Sequence, residues 1–262
     1  MSGNPILEVK HVSRAFGGIM ALMGVGFEVP RGIVKALIGP NGAGKTTLFN
    51  VISGVYEPTE GEVWLDGGRI DGRQPYQIAA LGISRTYQTV ELFKQMTALE
   101  NVMLGRHMRE GGGFLSCGFI PPSLRPAERR MEKRSREILE IVGLEKYAAE
   151  KAGSLPLGMQ KLLEVGRALA TDPKLILLDE PAAGLNESET DTAAKLILRI
   201  KEMGITVIVV EHDIKLVMRV SDEVVVLNYG QKIADGTPDE IRNNKFVIEA
   251  YLGGDLSHAS FI

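Results

Sequence analysis

The 262-residue chain is 44% hydrophobic and 24% charged, the proportions of a folded globular protein and not of a disordered one. Thirty basic against 33 acidic residues leave a formal charge of -3, which excludes nucleic-acid binding by bulk charge. The single cysteine, Cys117, excludes an internal disulfide framework, and no apolar run reaches the ~18 residues that a bilayer-spanning helix needs.

From the N-terminus onward, the first ten residues lack the charged and apolar regions of a secretion signal, so the expectation is a cytoplasmic chain. Apolar and β-branched runs predict strands at 6–12, 34–38, 62–65, 83–87, 175–178, 206–210 and 223–227. Helical patterns fall at 45–53, 97–106, 129–142, 159–170, 187–203 and 214–220, with Gly204 stopping the fifth. This alternation predicts an α/β fold with a mainly parallel sheet flanked by helices. Two stretches break it. Residues 1–32 and 61–70 read as strands and turns and predict a small antiparallel β lobe. Residues 89–157 predict a mostly helical insertion between two strands of the main sheet.

Inside that insertion, Gly111, Gly112, Gly113, Pro121 and Pro122 exclude a regular helix, yet Phe114, Leu115, Phe119 and Ile120 are interleaved among them. Exposed apolar groups in such a loop mark a partner site. The basic run that follows (Arg125, Arg129, Arg130, Lys133, Arg134 and Arg136) reads as a solvated helix face, with attraction to a membrane surface as the functional alternative. The segment after about residue 254 reads as a frayed end.

Gly39-Pro40-Asn41-Gly42-Ala43-Gly44-Lys45-Thr46 matches the G-x-x-x-x-G-K-[ST] phosphate loop between a predicted strand and a predicted helix. Glycines let backbone N–H groups turn toward phosphate oxygens, and the helix N-terminus adds a favourable dipole. In that role Lys45 reaches the β- and γ-phosphates, the Thr46 hydroxyl binds Mg²⁺ and Thr47 donates to the α-phosphate. The wholly apolar run at 175–178 then delivers two adjacent carboxylates, Asp179 and Glu180. Asp179 fits an oxygen ligand ordering Mg²⁺, and Glu180 fits the base that polarises an attacking water.

Together these motifs resemble an ATP-binding cassette (ABC) ATPase over nearly the entire chain. The resemblance implies one P-loop ABC ATPase domain over 1–254, with the helical subdomain at about 89–157 inserted and 255–262 as a C-terminal tail. It implies that Phe16 stacks on adenine, and that Gln88 senses Mg²⁺ and the nucleophilic water. It implies that His212 contacts the γ-phosphate. Two positions depart from the family pattern. Where relatives usually show Leu-Ser-Gly-Gly-Gln, this chain has Leu155-Pro156-Leu157-Gly158-Met159, so the phosphate-facing serine is absent while Gly158 remains. Asn186 replaces the usual aspartate of a dimer-contacting loop.

The insert at 111–126, Arg85-Thr86-Tyr87-Gln88, the block from Glu180 to Asn186 and the tail from Thr237 to Asn244 resemble the ATP-binding subunits of branched-chain amino acid importers. That resemblance implies ATP and Mg²⁺, membrane permease subunits and an extracytoplasmic solute-binding protein acting indirectly. The apolar residues of the insert point to it as the permease docking surface, with local packing under the helical lobe as the alternative. It also implies a second cassette, a related chain with an intact serine signature or an identical copy. The location it implies is peripheral, on the cytoplasmic face of the cell membrane. The alternatives are an importer ATPase for another small polar solute, such as urea or other amino acids, or a soluble ABC ATPase in cytosolic assembly.

Overall fold

The computed structural model describes residues 4–110 and 125–252. The Gly- and Pro-broken insert, except Arg125 and Pro126, and the 255–262 tail lie outside the described residues. The chain divides into two compact units, Met1–Arg85 with Lys174–Ile262, and Thr86–Pro173.

The first unit holds two sheets. β1 (Leu7–Phe16), β2 (Ile19–Val29), β4 (Glu60–Leu65) and β5 (Gly68–Arg69) form an antiparallel sheet in the order β2-β1-β4-β5. This is the antiparallel lobe expected from 1–32 and 61–70. The second sheet contains β3 (Val34–Ile38), β6 (Ile83–Arg85), β7 (Leu175–Asp179), β8 (Thr206–Val210), β9 (Glu223–Asn228) and β10 (Gln231–Gly236). Its order is β10-β9-β3-β8-β7-β6, and every pairing except β10 with β9 is parallel.

Burial explains why these runs are strands. β3, β7 and β8 are buried at every position, which a parallel sheet covered on both faces demands. Fully burying one Val, Leu or Ile side chain contributes about 1.5–3 kcal/mol. A core cluster runs through Leu37, Leu48, Phe49, Ile52, Leu177 and Ile208, so the helix after β3 is packed onto the sheet that delivers Asp179. That helix, α1 (Lys45–Ile52), is joined in this unit by α2 (Pro75–Leu81), α6 (Glu187–Glu202), α7 (Ile214–Val220), α8 (Pro238–Arg242) and α9 (Lys245–Leu252).

The second unit is built on α3 (Ala98–Glu110), α4 (Arg125–Ile141) and α5 (Leu157–Leu169), which pack on one another. Thr97 and Glu100 exchange hydrogen bonds at the start of α3. A Cβ on Gly105 would fall 2.3 Å from the Arg167 carbonyl oxygen, so α3 and α5 meet there at backbone distance.

The structure corrects several expectations. The strand expected at 83–87 ends at Arg85, leaving Tyr87 and Gln88 in a loop. The first strand runs on to Phe16, past the expected end at residue 12. Helices α2, α8 and α9 and strand β10 occur where no element was expected.

Candidate functional site

β3 ends in the core, and the chain leaves it at Gly39 with a φ of +152°. A Cβ there would fall 2.1 Å from the Leu227 carbonyl oxygen, so β9 enforces glycine. Gly44 has φ +102° and would meet Ala21 O at 2.7 Å, which sets β2 beside the loop. Pro40, Asn41, Gly42 and Ala43 form the turn between them, closed by Ala43 N–H donating to Pro40 O at 3.1 Å. Helix α1 then begins at Lys45 with no side-chain cap and no acid in its first turn. Its first-turn N–H groups lack intrahelical partners, as at any helix start, and together with the dipole suit an anion. Thr46 is exposed and Thr47 half-buried in that turn.

Lys45 is buried, and its Nζ donates to Gly39 O at 2.7 Å and Pro40 O at 3.0 Å. Burial lowers its pKa from the usual lysine range, while the negative charges of Glu180 and Asp179 pull it back up. Thus Lys45, Asp179 and Glu180 share one electrostatic environment. Asp179 closes β7, and its carboxyl is pushed above the usual range by burial, against the opposing pull of Arg85. The Arg85 guanidinium donates through Nη2 to Asp179 Oδ2 at 2.9 Å, with both side chains buried.

Glu180 adopts a φ of +49°, a conformation rarely adopted by non-glycine residues, which costs of order 1–3 kcal/mol and clusters at functional sites. Its N–H donates to Val210 O at 2.9 Å, so the strained turn is tied to β8. Two residues beyond Val210, the His212 imidazole is 57% exposed, with Nδ1 at 4.0 Å from Glu180 Oε2 and 3.9 Å from Glu211 Oε2. Glu211 is buried and accepts from Ala182 N–H at 2.8 Å and His212 N–H at 3.2 Å. Burial raises its pKa, with those N–H bonds opposing. Glu211 therefore joins the turn after Glu180 to the backbone of His212.

Phe16 ends β1, is 39% exposed, and meets Tyr56 edge to face at 5.1 Å between ring centroids. The Arg14 guanidinium carbon lies 4.7 Å from the Phe16 centroid. Phe16 pairs with Ile19 at the head of β2, two residues before the Ala21 carbonyl that borders Gly44.

Gln88 and Gly158 belong to the second unit. Gln88 is exposed, between Tyr87 and Glu91, whose N–H groups donate at 3.4 and 3.5 Å to the buried Glu164 carboxylate on α5. Burial raises the Glu164 pKa. Pro156 is the N-cap of α5, and Gly158 is buried in its first turn, which has neither an acid nor a side-chain cap. Asn186 caps α6, exchanging hydrogen bonds with Glu189 in a reciprocal box, so asparagine fills a local structural need at that position.

Among the described residues no group of three or more His, Cys, Asp and Glu side chains could hold a metal ion. The donors that the first unit offers here are oxygens, the Thr46 hydroxyl and the Asp179 carboxylate. A hard cation of the Mg²⁺ type suits such a set, because it takes one or two carboxylates and completes its shell with water and phosphate.

Residues 22–183 match the family described as ABC transporter. The chain belongs to the ABC transporter family of ATP-binding cassettes. Residues 231–256 also match the family described as branched-chain amino acid ATP-binding cassette transporter. This cassette is 47% identical over 250 residues to the high-affinity branched-chain amino acid transport ATP-binding protein BraF of Pseudomonas aeruginosa, covering 95% of this chain and 98% of BraF. It is 42% identical over 250 residues to the corresponding protein LivG of Escherichia coli, with the same coverage.

Among solved structures, the ADP conformation of an ATP-binding cassette of an ABC transporter is similar, with a TM-score of 0.84 and 36% identity. That likeness covers 96% of this chain and all (100%) of the other. A dimeric cassette in a post-hydrolysis state with ADP and Pi is similar at TM-score 0.75 and 28% identity, covering 88% of this chain and 98% of the other. The α/β cassette fold and the ATPase class expected from the phosphate loop are thereby borne out. No helix among the described residues is long and apolar enough to cross a membrane.

Proposed function

We propose that this ATPase powers uptake of branched-chain amino acids through membrane permease subunits, working in a pair of cassettes on the cytoplasmic face of the cell membrane. The observation that carries the proposal is the 47% identity to BraF along 95% of the chain, joined to the branched-chain family match at 231–256. The two compact units act as one ATPase domain over 1–254, with the helical subdomain at about 89–157 inserted and 255–262 as a tail. A solute-binding protein outside the membrane delivers the amino acid to the permeases, as the resemblance to branched-chain importers implies. The second cassette is a related chain whose intact serine signature completes the site built on this chain's Lys45 and Glu180, leaving the site that faces Pro156 the weaker one; an identical copy is the alternative.

We infer the chemistry from the family motifs, and the geometry within the first unit supports it. ATP lies along Gly39–Thr47 with its base against Phe16, and Lys45 exchanges its carbonyl acceptors for β- and γ-phosphate oxygens. Mg²⁺ would be held by Thr46, Asp179 and Gln88, where it neutralises charge on the phosphates. Glu180, held at φ +49°, polarises the attacking water and takes its proton. His212, beside Glu180, contacts the γ-phosphate and stabilises charge there. Gly158 offers its helix start to the nucleotide of the partner cassette. These roles are carried by the match between each residue's position and the family motifs.

The test is purification from membranes with the neighbouring permeases co-expressed. Permeases should co-purify, and solute-loaded binding protein should stimulate ATP hydrolysis when the solute is leucine, isoleucine or valine. Stimulation by urea and none by these amino acids would overturn the substrate assignment.

A further inference from the structure

Arg85 ends β6, the edge strand of the larger sheet, yet its side chain is only 7% exposed. Its guanidinium donates short hydrogen bonds to β7 and to the end of α1. Nη2 donates to Asp179 Oδ2 at 2.9 Å, at the end of β7. Nη1 donates to Asn50 Oδ1 at 2.7 Å and to Ser53 Oγ at 2.9 Å, at the far end of α1. The guanidinium carbon also sits 5.5 Å from the Phe49 ring centroid. Ser53 Oγ in turn donates to Phe49 O at 2.7 Å, so this end of α1 is cross-braced.

Burying such a pair is expensive, and well-packed apolar residues of similar volume often serve stability as well or better. The pair is therefore poorly explained as a packing device. It spans the two elements that deliver Thr46 and Asp179, the helix after the phosphate loop and the strand ending in the carboxylate. A planar fork with donors fixed in direction suits this task, because it locks the rotamer of the carboxylate that it binds.

We propose that Arg85 is a positioning residue for nucleotide-bound Mg²⁺: by bracing Asp179 against α1 it sets the carboxylate where the ion bound with ATP requires it. This rests on the reading of Asp179 as a Mg²⁺ ligand. Partners behind a metal ligand typically govern metal affinity by about 10–100-fold. The readout is the factor by which Mg²⁺ tightens binding of a fluorescent ATP analogue to the full chain, measured by titration with excess Mg²⁺ and with chelator.

Arg85→Met should keep metal-free affinity within about twofold while losing about tenfold or more of the Mg²⁺-dependent tightening. Arg85→Lys retains a charge but not the fork, so it should lose several-fold, and it carries the test if the methionine variant does not fold. In an Asp179→Asn background, Arg85→Met should remove nothing further from the tightening. A purely structural role would weaken binding equally with and without Mg²⁺, and that result, or undiminished tightening in Arg85→Lys, would overturn the proposal. Asp179→Asn alone separates the underlying reading. If it keeps the full tightening, Asp179 is not the ligand, whatever Arg85 does.

Discussion

The Lys45 ammonium donates to the Gly39 carbonyl oxygen at 2.7 Å, folding the basic group back onto the loop that carries it. Two neutral carbonyls hold an ammonium less strongly than anionic phosphate oxygens do, because the phosphate adds the attraction between opposite full charges. The lysine is therefore stored at its site of use, already desolvated, and shifts acceptors when nucleotide arrives.

Removing that group tests the point. Lys45→Ala should leave the fold intact by circular dichroism and lower ATP hydrolysis by about 10²–10³-fold or more, the scale of losing one donor to a developing anion. Phosphate release at the unmutated rate would refute the loop's assignment.

Glu180→Gln should retain ATP and hydrolyse it about 10²–10⁴-fold more slowly, because an amide cannot take the proton from water. The same variant should accumulate the ATP-bound pair of cassettes, seen by light scattering. An undiminished kcat would move the base elsewhere.

Gly39→Ala should destabilise the first unit directly. Its Cβ would fall 2.1 Å from Leu227 O, and φ +152° adds strain for any side chain. Loss of about 3 kcal/mol or more is expected by chemical denaturation, the range of overpacking combined with backbone strain. A loss below about 0.5 kcal/mol, as at an ordinary surface site, would contradict this reading of the loop.

Asp66 gives a pH-dependent outcome. It pairs with Arg31 and with Lys174, whose Nζ lies 2.5 Å away, and the Lys174 hydrogen bond leads in holding its carboxyl below the usual range. A depressed carboxylate contributes stability above its unfolded pKa of about 3.9 and loses it as pH falls through the folded value. Asp66→Asn tolerates the same φ of +55° and removes the charge alone. It should lower Tm at pH 7 by an amount reflecting at most about 1 kcal/mol, with the difference from the parent shrinking as pH falls through the lowered folded pKa of Asp66. A difference that persists at acid pH would point to packing instead.

What the sequence exposes and hides follows from how local each signal is. The phosphate loop, Asp179 and Glu180 are legible because strand, turn and helix lie contiguous in the chain. The antiparallel lobe is legible over 1–32 and 61–70, but the limits of β2 within it are not, because Gly24 and Gly26 interrupt its alternation. β10 is an edge strand whose Lys232 and Asp235 break any apolar alternation, while α8 is only five residues long.

The structural roles of Arg85 and Glu211 are invisible for a different reason. Arg85 meets partners 35 and 94 positions away, and Glu211 meets Ala182 across 29 positions. Each is a charged residue at the end of a short strand, Arg85 closing β6 and Glu211 following β8, and that placement is the signal that could have drawn attention to them.

Uptake of radiolabelled leucine into proteoliposomes is the most direct measurement of function. The vesicles would hold the permeases, the partner cassette and this chain, with ATP inside and binding protein outside. Leucine should accumulate only with ATP, and a Glu180→Gln chain should abolish accumulation while leaving assembly intact. ATP-dependent accumulation that survives Glu180→Gln, or ATP hydrolysis by an intact assembly that moves no branched-chain amino acid, would contradict the assignment.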